Sequence, residues 1–427
     1  MSQDAVAIAA PKGTIGRAQI KAFVGAYLGY CLDAMDFLLL SMIMPMIIKD
    51  LKIPLSNAAL LFSATLLGAF VGGVIFGIYS DRVGRVKTMT ITVLGYAIFT
   101  AACGLAGSFT TLLILRFVVG LFLGGEWGAG AALVTEVWPA SWRGRISGIL
   151  ISSWQVGTCL AALITLFVAP TWGWRTVFFI GIIPALLALW IRLRVEESPV
   201  WEATRKLRQQ GAKTSSNEVT SPASPNRNPL AEMFSGELRT RAILVSLMMG
   251  FCLFVIWGIL AWLPTVLASP PRNFTIVRSM NYVLILTLGN LIGQVGMGFF
   301  MDWVGRKKAF LTVFALGAVI LVIYPNILDM QTLFWAGFVL GIFVFAPMGG
   351  SAAYTGELFP TRMRGTAINW GIGFGRGVSV LAPIFLAALA PSMGLGGAFI
   401  TLGIFYVIGF FVILGLPETK GTEFRPG

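Results

Sequence analysis

Few ionisable residues stand inside the long apolar runs of this chain, so each can be weighed for the chemistry it supports. Asp33 and Asp36 lie three apart in AYLGYCLDAMDFLLL. Three residues turn a helix by about 300°, which points both carboxyls to nearly the same side. Two carboxylates that close in apolar surroundings cannot both ionise cheaply, so one holds a proton. That is proton-carrier chemistry; the plainer alternative makes one of them the fixed partner of an arginine. Arg116 and Glu126 share another apolar run, ten residues apart, or about 15 Å along a helix axis. They are too far apart to pair with each other. Arg116 is placed to hold Asp33 or Asp36. Glu126 is either a second protonation site or a satisfied interhelical hydrogen bond. The chain has no histidine, so side-chain proton handling falls to the carboxylates.

Arg376 lies in a later run with no acidic residue near it on the same run. A guanidinium presents a planar fork that matches a carboxylate, and burying it unpaired is very unfavourable. Its anion is therefore a bound organic acid or an acid from another helix. Asn369, Gly373 and Arg376 share one helical face, and so do Gly148, Ser152 and Gln155. Asn290 and Gln294 share a face of a further run, and Tyr27 and Trp257 are candidate lining aromatics. Aromatics beside a few polar groups suit an organic anion with an apolar body; most of the 13 Trp and 32 Phe are packing or lipid-facing residues. The four cysteines, Cys31, Cys103, Cys159 and Cys252, sit in apolar runs, with no disulfide framework and no zinc spacing. No metal site, cofactor or nucleotide-binding GxxxxGK[ST] loop is read, which argues against an enzyme and against a nucleotide-driven pump.

The elements that must position these residues follow from composition. Of 427 residues 57% are hydrophobic and 11% charged, against about 25% charged in a soluble domain; mean hydropathy is +0.84. Runs of about 20 apolar residues, one bilayer crossing each, fall at 22–48, 57–80, 87–106, 110–134, 144–169, 174–193, 241–268, 279–301, 308–326, 331–352, 364–390 and 395–416. The expected fold is an all-α integral membrane protein with twelve transmembrane helices in two pseudo-symmetric six-helix bundles. Residues 1–193 form the first bundle and 241–427 the second. The polar stretch 194–240 is a linker, with a short amphipathic helix expected around 201–208. The first 21 residues carry acid and base before a long apolar run that has no cleavage site, so they read as a tail and not as a signal peptide. Placing both termini on the cytoplasmic side puts 24 of the 31 Lys and Arg in inner loops and tails, as the positive-inside rule requires. The net charge of +13 thus reports topology in a bilayer, not a nucleic-acid partner.

One offset of 221 residues aligns the halves. Gly77, Asp81, Gly84 and Arg85 match Gly298, Asp302, Gly305 and Arg306; Glu136 and Pro139 match Glu357 and Pro360; Arg143 and Gly144 match Arg364 and Gly365; Glu197 matches Glu418. Parallel repeats of this kind place a substrate site between the halves, near mid-membrane. Gln155 is the repeat mate of Arg376, whereas Asp33 and Asp36 have the apolar mates Phe254 and Trp257.

GIYSDRVGRVK, at 77–87, resembles the signature loop of the major facilitator superfamily, and Arg116-Phe-Val-Val-Gly120 resembles its second motif, frequent in proton-coupled members. The likeness spans essentially the whole chain. LGYCLDAMDF is similar to the Asp-Gly-x-Asp element of the sialate/lactate:proton and aromatic-acid:proton symporter branches, with Ala34 where that element carries glycine. GWRTVFFIGIIPALLALWIR followed by EESPVW resembles the sialate/lactate branch. Both branches carry organic acids. The resemblance implies a proton-coupled symporter of a small organic anion in a bacterial inner membrane, with a monomer as the default state. Proton coupling would fall to Asp33, Asp36, Glu126 and Arg116. Substrate binding would fall to Arg376, Gln155, Asn369, Tyr27, Trp257, Asn290 and Gln294. Asp81, Arg82, Arg85, Glu136 and Arg143, with Asp302, Arg306, Glu357 and Arg364, would form a conformational latch at the inner surface, pairing across bundles or capping helix ends. The other readings are a proton-driven efflux antiporter of amphipathic compounds, a sugar porter and a non-transporting membrane sensor. Arg376 is surplus in the first two, and no signalling domain is seen for the third.

Overall fold

The computed structural model describes residues 16–138, 143–199, 201–202, 232–360 and 364–420. Most of the helix expected at 201–208, and the side chains of Asp81, Arg143 and Arg364, lie outside the described residues. Among those residues every regular element is helical: α1 (Arg17–Leu51), α2 (Leu55–Val83), α3 (Arg85–Cys103), α4 (Phe109–Val137), α5 (Arg143–Ile180), α6 (Pro184–Arg194), α7 (Leu238–Ala268), α8 (Ile276–Val304), α9 (Arg306–Ile323), α10 (Met330–Leu358), α11 (Arg364–Ser379) and α12 (Ala382–Leu414), with a 3-10 turn at Tyr324–Asn326.

Among the described residues, ten segments are long and apolar enough to cross a bilayer. Two of them, Ile149–Ile191 and Thr366–Leu414, run 43 and 49 residues, about twice what one crossing takes. Each bends at a glycine of positive φ, Gly173 at 78° and Gly394 at 71°, three residues after a proline, Pro170 or Pro391. Only glycine adopts that backbone without steric cost. Divided at these bends, which obey the 221 offset, the ten segments become the twelve crossings expected. The chain is an all-α, multi-pass membrane protein. Crossing and helix do not coincide everywhere. The sixth crossing is the end of α5 plus α6. The eleventh is α11 plus the start of α12, interrupted at Val380 and Leu381, just before Pro383.

The repeat is visible in how helices cross. A Cβ on Gly68 would meet the Phe117 carbonyl oxygen at 2.3 Å, and one on Gly72 that of Leu121 at 1.9 Å, so α2 lies backbone to backbone on α4. In the second repeat Gly289 meets Phe338 O at 2.1 Å and Gly293 meets Ile342 O at 2.2 Å, bringing α8 onto α10. With no water to drive association inside a bilayer, such small-residue faces let dispersion contacts do so.

Packing groups the chain into two compact units. The first comprises Met1–Phe37, Leu67–Gly157 and Arg175–Ser224; the second comprises Leu38–Leu66, Thr158–Trp174 and Pro225–Gly427. Two stretches of the first repeat, 38–66 and 158–174, therefore pack within the unit that holds the second repeat.

Candidate functional site

The first unit encloses a cluster of ionisable side chains. Asp33 and Asp36 from α1 are 5% and 0% exposed, and Arg116 and Glu126 from α4 are 0% exposed. Arg116 Nη1 stands 3.6 Å from Asp36 Oδ2, an ion pair longer than a hydrogen bond. The guanidinium carbon lies 5.8 Å from the centre of the Phe178 ring, within cation–π range. Asp33 faces Glu126 and the Tyr96 hydroxyl of α3. Thr100 of α3 lies beside Asp36, and Cys103 beside Arg116. Gly29, one turn before Asp33, leaves the room that the Glu126 carboxyl occupies: a Cβ there would meet Glu126 Oε1.

The four residues expected to handle the proton are thus brought together, but in two pairs. Asp36 belongs with Arg116, and Asp33 with Glu126. As expected, the ten-residue spacing keeps Arg116 and Glu126 from being each other's partner. Tyr96 and Thr100 were missed by sequence reasoning. An uncharged polar residue in an apolar run gives little signal: Thr88 and Thr92 of the same helix simply bond their own helix carbonyls. The available sign was the i, i+4 spacing of Tyr96 and Thr100 on one face.

The residues expected to bind substrate are spread over both units. Gln155 is buried and Tyr27 half-buried in the first unit, the Tyr27 ring 5.6 Å from that of Phe23. In the second, Gln294 Nε2 donates to Asn290 Oδ1 at 2.7 Å. Asn290 also lines a cavity of about 20 Å³ with Ser41, Thr158 and Thr287. Trp257 is buried on α7. Arg376 is half-buried in the last turn of α11, where the partial negative charge of a helix C-terminus favours a cation. Asn369 is exposed, and nothing stands within 4 Å of where a Cβ on Gly373 would sit, so this face of α11 is open. Of the cysteines, Cys31, Cys103 and Cys252 are buried as expected, whereas Cys159 is only half-buried.

The signature loops have the same construction in each repeat. Arg85 Nη2 donates to Glu136 Oε1 at 3.0 Å, and Arg306 Nε donates to Glu357 Oε2 at 3.0 Å. Asp302 adds an i, i+4 pair to Arg306 at 3.0 Å, and Arg82 is exposed. Gly84 and Gly305, with φ of 117° and 103°, turn the chain so that the first N–H of α3 and of α9 meets a carboxylate. Arg85 N donates to Glu197 Oε1 at 2.9 Å, and Arg306 N to Glu418 Oε1 at 2.8 Å. An anion at a helix N-terminus is favoured. Burial raises the Glu418 carboxyl, but donors on Lys420, Arg306, Thr419 and Lys308 outweigh it and hold the group below the usual carboxylate range.

A family model described as Major Facilitator Superfamily matches residues 26–296 and 279–427. The chain belongs to the major facilitator superfamily. A putative metabolite transport protein of Haemophilus influenzae is 34% identical over 403 residues, covering 94% of this chain and 97% of the relative. A cis,cis-muconate transport protein of Acinetobacter baylyi is 32% identical over 400 residues, covering 91% of each. The crystal structure of a D-xylose–proton symporter has the same fold, with a TM-score of 0.77 at 20% identity, covering 95% of this chain and 99% of that one. This superfamily member is a transporter and not an enzyme.

Proposed function

We propose that the chain is a symporter that moves a small organic acid anion together with a proton by alternating access. The observation that carries this reading is the enclosed set of three carboxyls around one guanidinium. Arg116 balances Asp36. A bare carboxylate buried without a cation costs several kcal/mol even after relaxation, so the Asp33–Glu126 pair carries charge cheaply only when a proton is shared between them. Arg376 at the open face of α11 is the proposed ligand of the substrate carboxylate. Asn369, Gln155, Asn290, Gln294, Tyr27 and Trp257 are the proposed lining of its organic body. A relative that carries cis,cis-muconate supports a carboxylate cargo. One proton with one monoanion makes a neutral load, which lowers the cost of crossing the apolar midplane.

In this reading residues 1–193 and 241–427 are the two moving bundles, 194–240 the linker, and both termini face the cytoplasm of a bacterial inner membrane. The Arg85–Glu136 and Arg306–Glu357 pairs, with Arg82, Asp81, Asp302, Arg143 and Arg364 around them, act as the inner-surface latch.

The test is uptake into liposomes with an acidic exterior, using a panel of labelled carboxylates and a sugar control. One acid should accumulate, collapse with a protonophore, and bind at least about thirtyfold more weakly in Arg376→Ala, the loss of one partner of a hydrogen-bonded charge pair costing about 2–5 kcal/mol. Accumulation of the sugar and of no acid would sink the proposal.

A further inference from the structure

Within the second compact unit, two serines of the first repeat donate to backbone carbonyls of the second. Ser41 Oγ on α1 donates to the carbonyl oxygens of Leu260 and Ala261 on α7, the latter at 3.0 Å. Ser63 Oγ on α2 donates to Val380 O at 2.7 Å. Two of the three acceptors, Leu260 and Val380, stand shortly before a proline. Leu260 lies four residues before Pro264, which is inside α7. Proline has no N–H, so the helix itself cannot serve the Leu260 carbonyl. Val380 lies in the interruption between α11 and α12, just before Pro383. Trp262 Nε1 donates to Pro383 O at 3.1 Å and ties the two acceptor segments together. Its ring lies 6.0 Å from that of Phe62, the neighbour of Ser63. Ser41 and Ser63 are 2% and 5% exposed.

The arrangement is one-sided. The repeat mates of Ser41 and Ser63 are Trp262 and Leu284, and those of Pro264 and Pro383 are Ile43 and Ala162. The serine donors stand in the first repeat, and Pro264 and Pro383, beside their acceptors, stand in the second.

The geometry points to a gate on the side opposite the signature loops: Ser41 holds that side closed by serving the Leu260 carbonyl that Pro264 deprives of its helical N–H, Ser63 adds a second bond at the α11–α12 interruption, and both bonds break when that side opens. Neutral hydroxyl–carbonyl bonds suit such a gate. Each is worth little net, and breaking it strands no buried charge, so the closed form is favoured without being locked. The gate rests on the alternating-access reading above, but its readout is a distance that needs no substrate, so the two can fail separately.

The test places nitroxide labels at Ser56 and Val277, two exposed positions on that side, with Cys159 replaced by alanine because it is the half-buried native thiol. Pulsed electron–electron resonance reads the closed and open populations. Ser41→Ala should lower the closed-to-open ratio about fivefold, as loss of one net hydrogen bond would. In a Pro264→Ala background the restored N–H already serves Leu260, and the same Ser41→Ala change should shift the ratio less than about twofold. No shift on Ser41→Ala, or an equal shift in both backgrounds, overturns the gate. If Pro264→Ala does not fold, Ser41→Thr takes its place. It keeps the hydroxyl and should match the parent distribution, and a shift as large as that of Ser41→Ala overturns the inference.

Discussion

Asp33 and Asp36 are near-identical in sequence context and differ in company. Asp36 faces a guanidinium, whereas Asp33 faces a second carboxyl and a phenol. Their substitutions should therefore differ in kind. Asp33→Asn and Glu126→Gln remove a carboxyl from the shared pair without stranding a charge. Each should abolish accumulation driven by a pH gradient while leaving exchange of labelled for unlabelled acid within about threefold of the parent, since exchange needs no net proton movement. Asp36→Asn removes the carboxylate of the fully buried Asp36–Arg116 pair, and breaking a buried pair costs about 3–5 kcal/mol, so it should lower thermal stability and exchange together. Equal loss of exchange in all three variants would show that the two pairs are not functionally distinct. The four ionisable residues were legible in the sequence because a charge inside an apolar run is costly and stands out. Which acid takes Arg116 was not legible: it depends on the rotation of α1 against α4, which no spacing along one helix encodes. Gly29 makes room for the Glu126 carboxyl beside α1, but in the sequence it is one of 50 glycines.

At the scale of the helices, the 221 offset predicts pairs of equivalent crossings, and the backbone contacts of Gly72 and Gly293 are one such pair. Gly72→Ala puts a methyl 1.9 Å from Leu121 O, and Gly293→Ala puts one 2.2 Å from Ile342 O. The atom in the way is backbone in both cases and cannot rotate aside. Each substitution should lower stability by about 1–3 kcal/mol, read as a lower midpoint of thermal unfolding in detergent. Gly77→Ala, where nothing stands within 4 Å, is the control and should leave the midpoint unchanged. A parent-like midpoint for Gly72→Ala would mean that α2 and α4 pack less closely than described. The helix count was legible because length and apolarity decide it. The interruption at Val380–Leu381 was not, since a single apolar run covers 364–390. Pro383 was its sign, but Pro45, Pro264 and Pro347 sit inside continuous helices, so proline alone does not separate a break from a bend. That interruption puts Arg376 in a helix's last turn and not at the middle of a continuous span, a placement visible only once the end of α11 is known.

For the whole molecule, the single offset and the polar stretch 194–240 offer a boundary between two repeats, whereas nothing in the sequence announces the grouping into compact units. Residues 38–66 and 158–174 pack with the second repeat, through contacts between residues far apart in the chain that no local spacing encodes. Orientation in the bilayer is the remaining large-scale quantity, and it decides the direction in which a proton gradient drives the cargo. Basic residues gather on the side of the signature loops: Arg82, Arg85 and Lys87 follow α2, and Arg306, Lys307 and Lys308 follow α8. The opposite loops carry few. Chains insert with their basic short loops in the cytoplasm, so Lys87, which is exposed at the end of the signature loop, should face inward, and Val277 at the start of α8 should face outward. With a cysteine at one of these positions and intact cells, a membrane-impermeant maleimide should label Val277→Cys at once and Lys87→Cys only after the membrane is permeabilised. The reverse pattern would place the signature loops outside. An external acid gradient would then reach Asp33 and Glu126 from the signature-loop side, and the gate at Ser41 and Pro264 would face the cytoplasm.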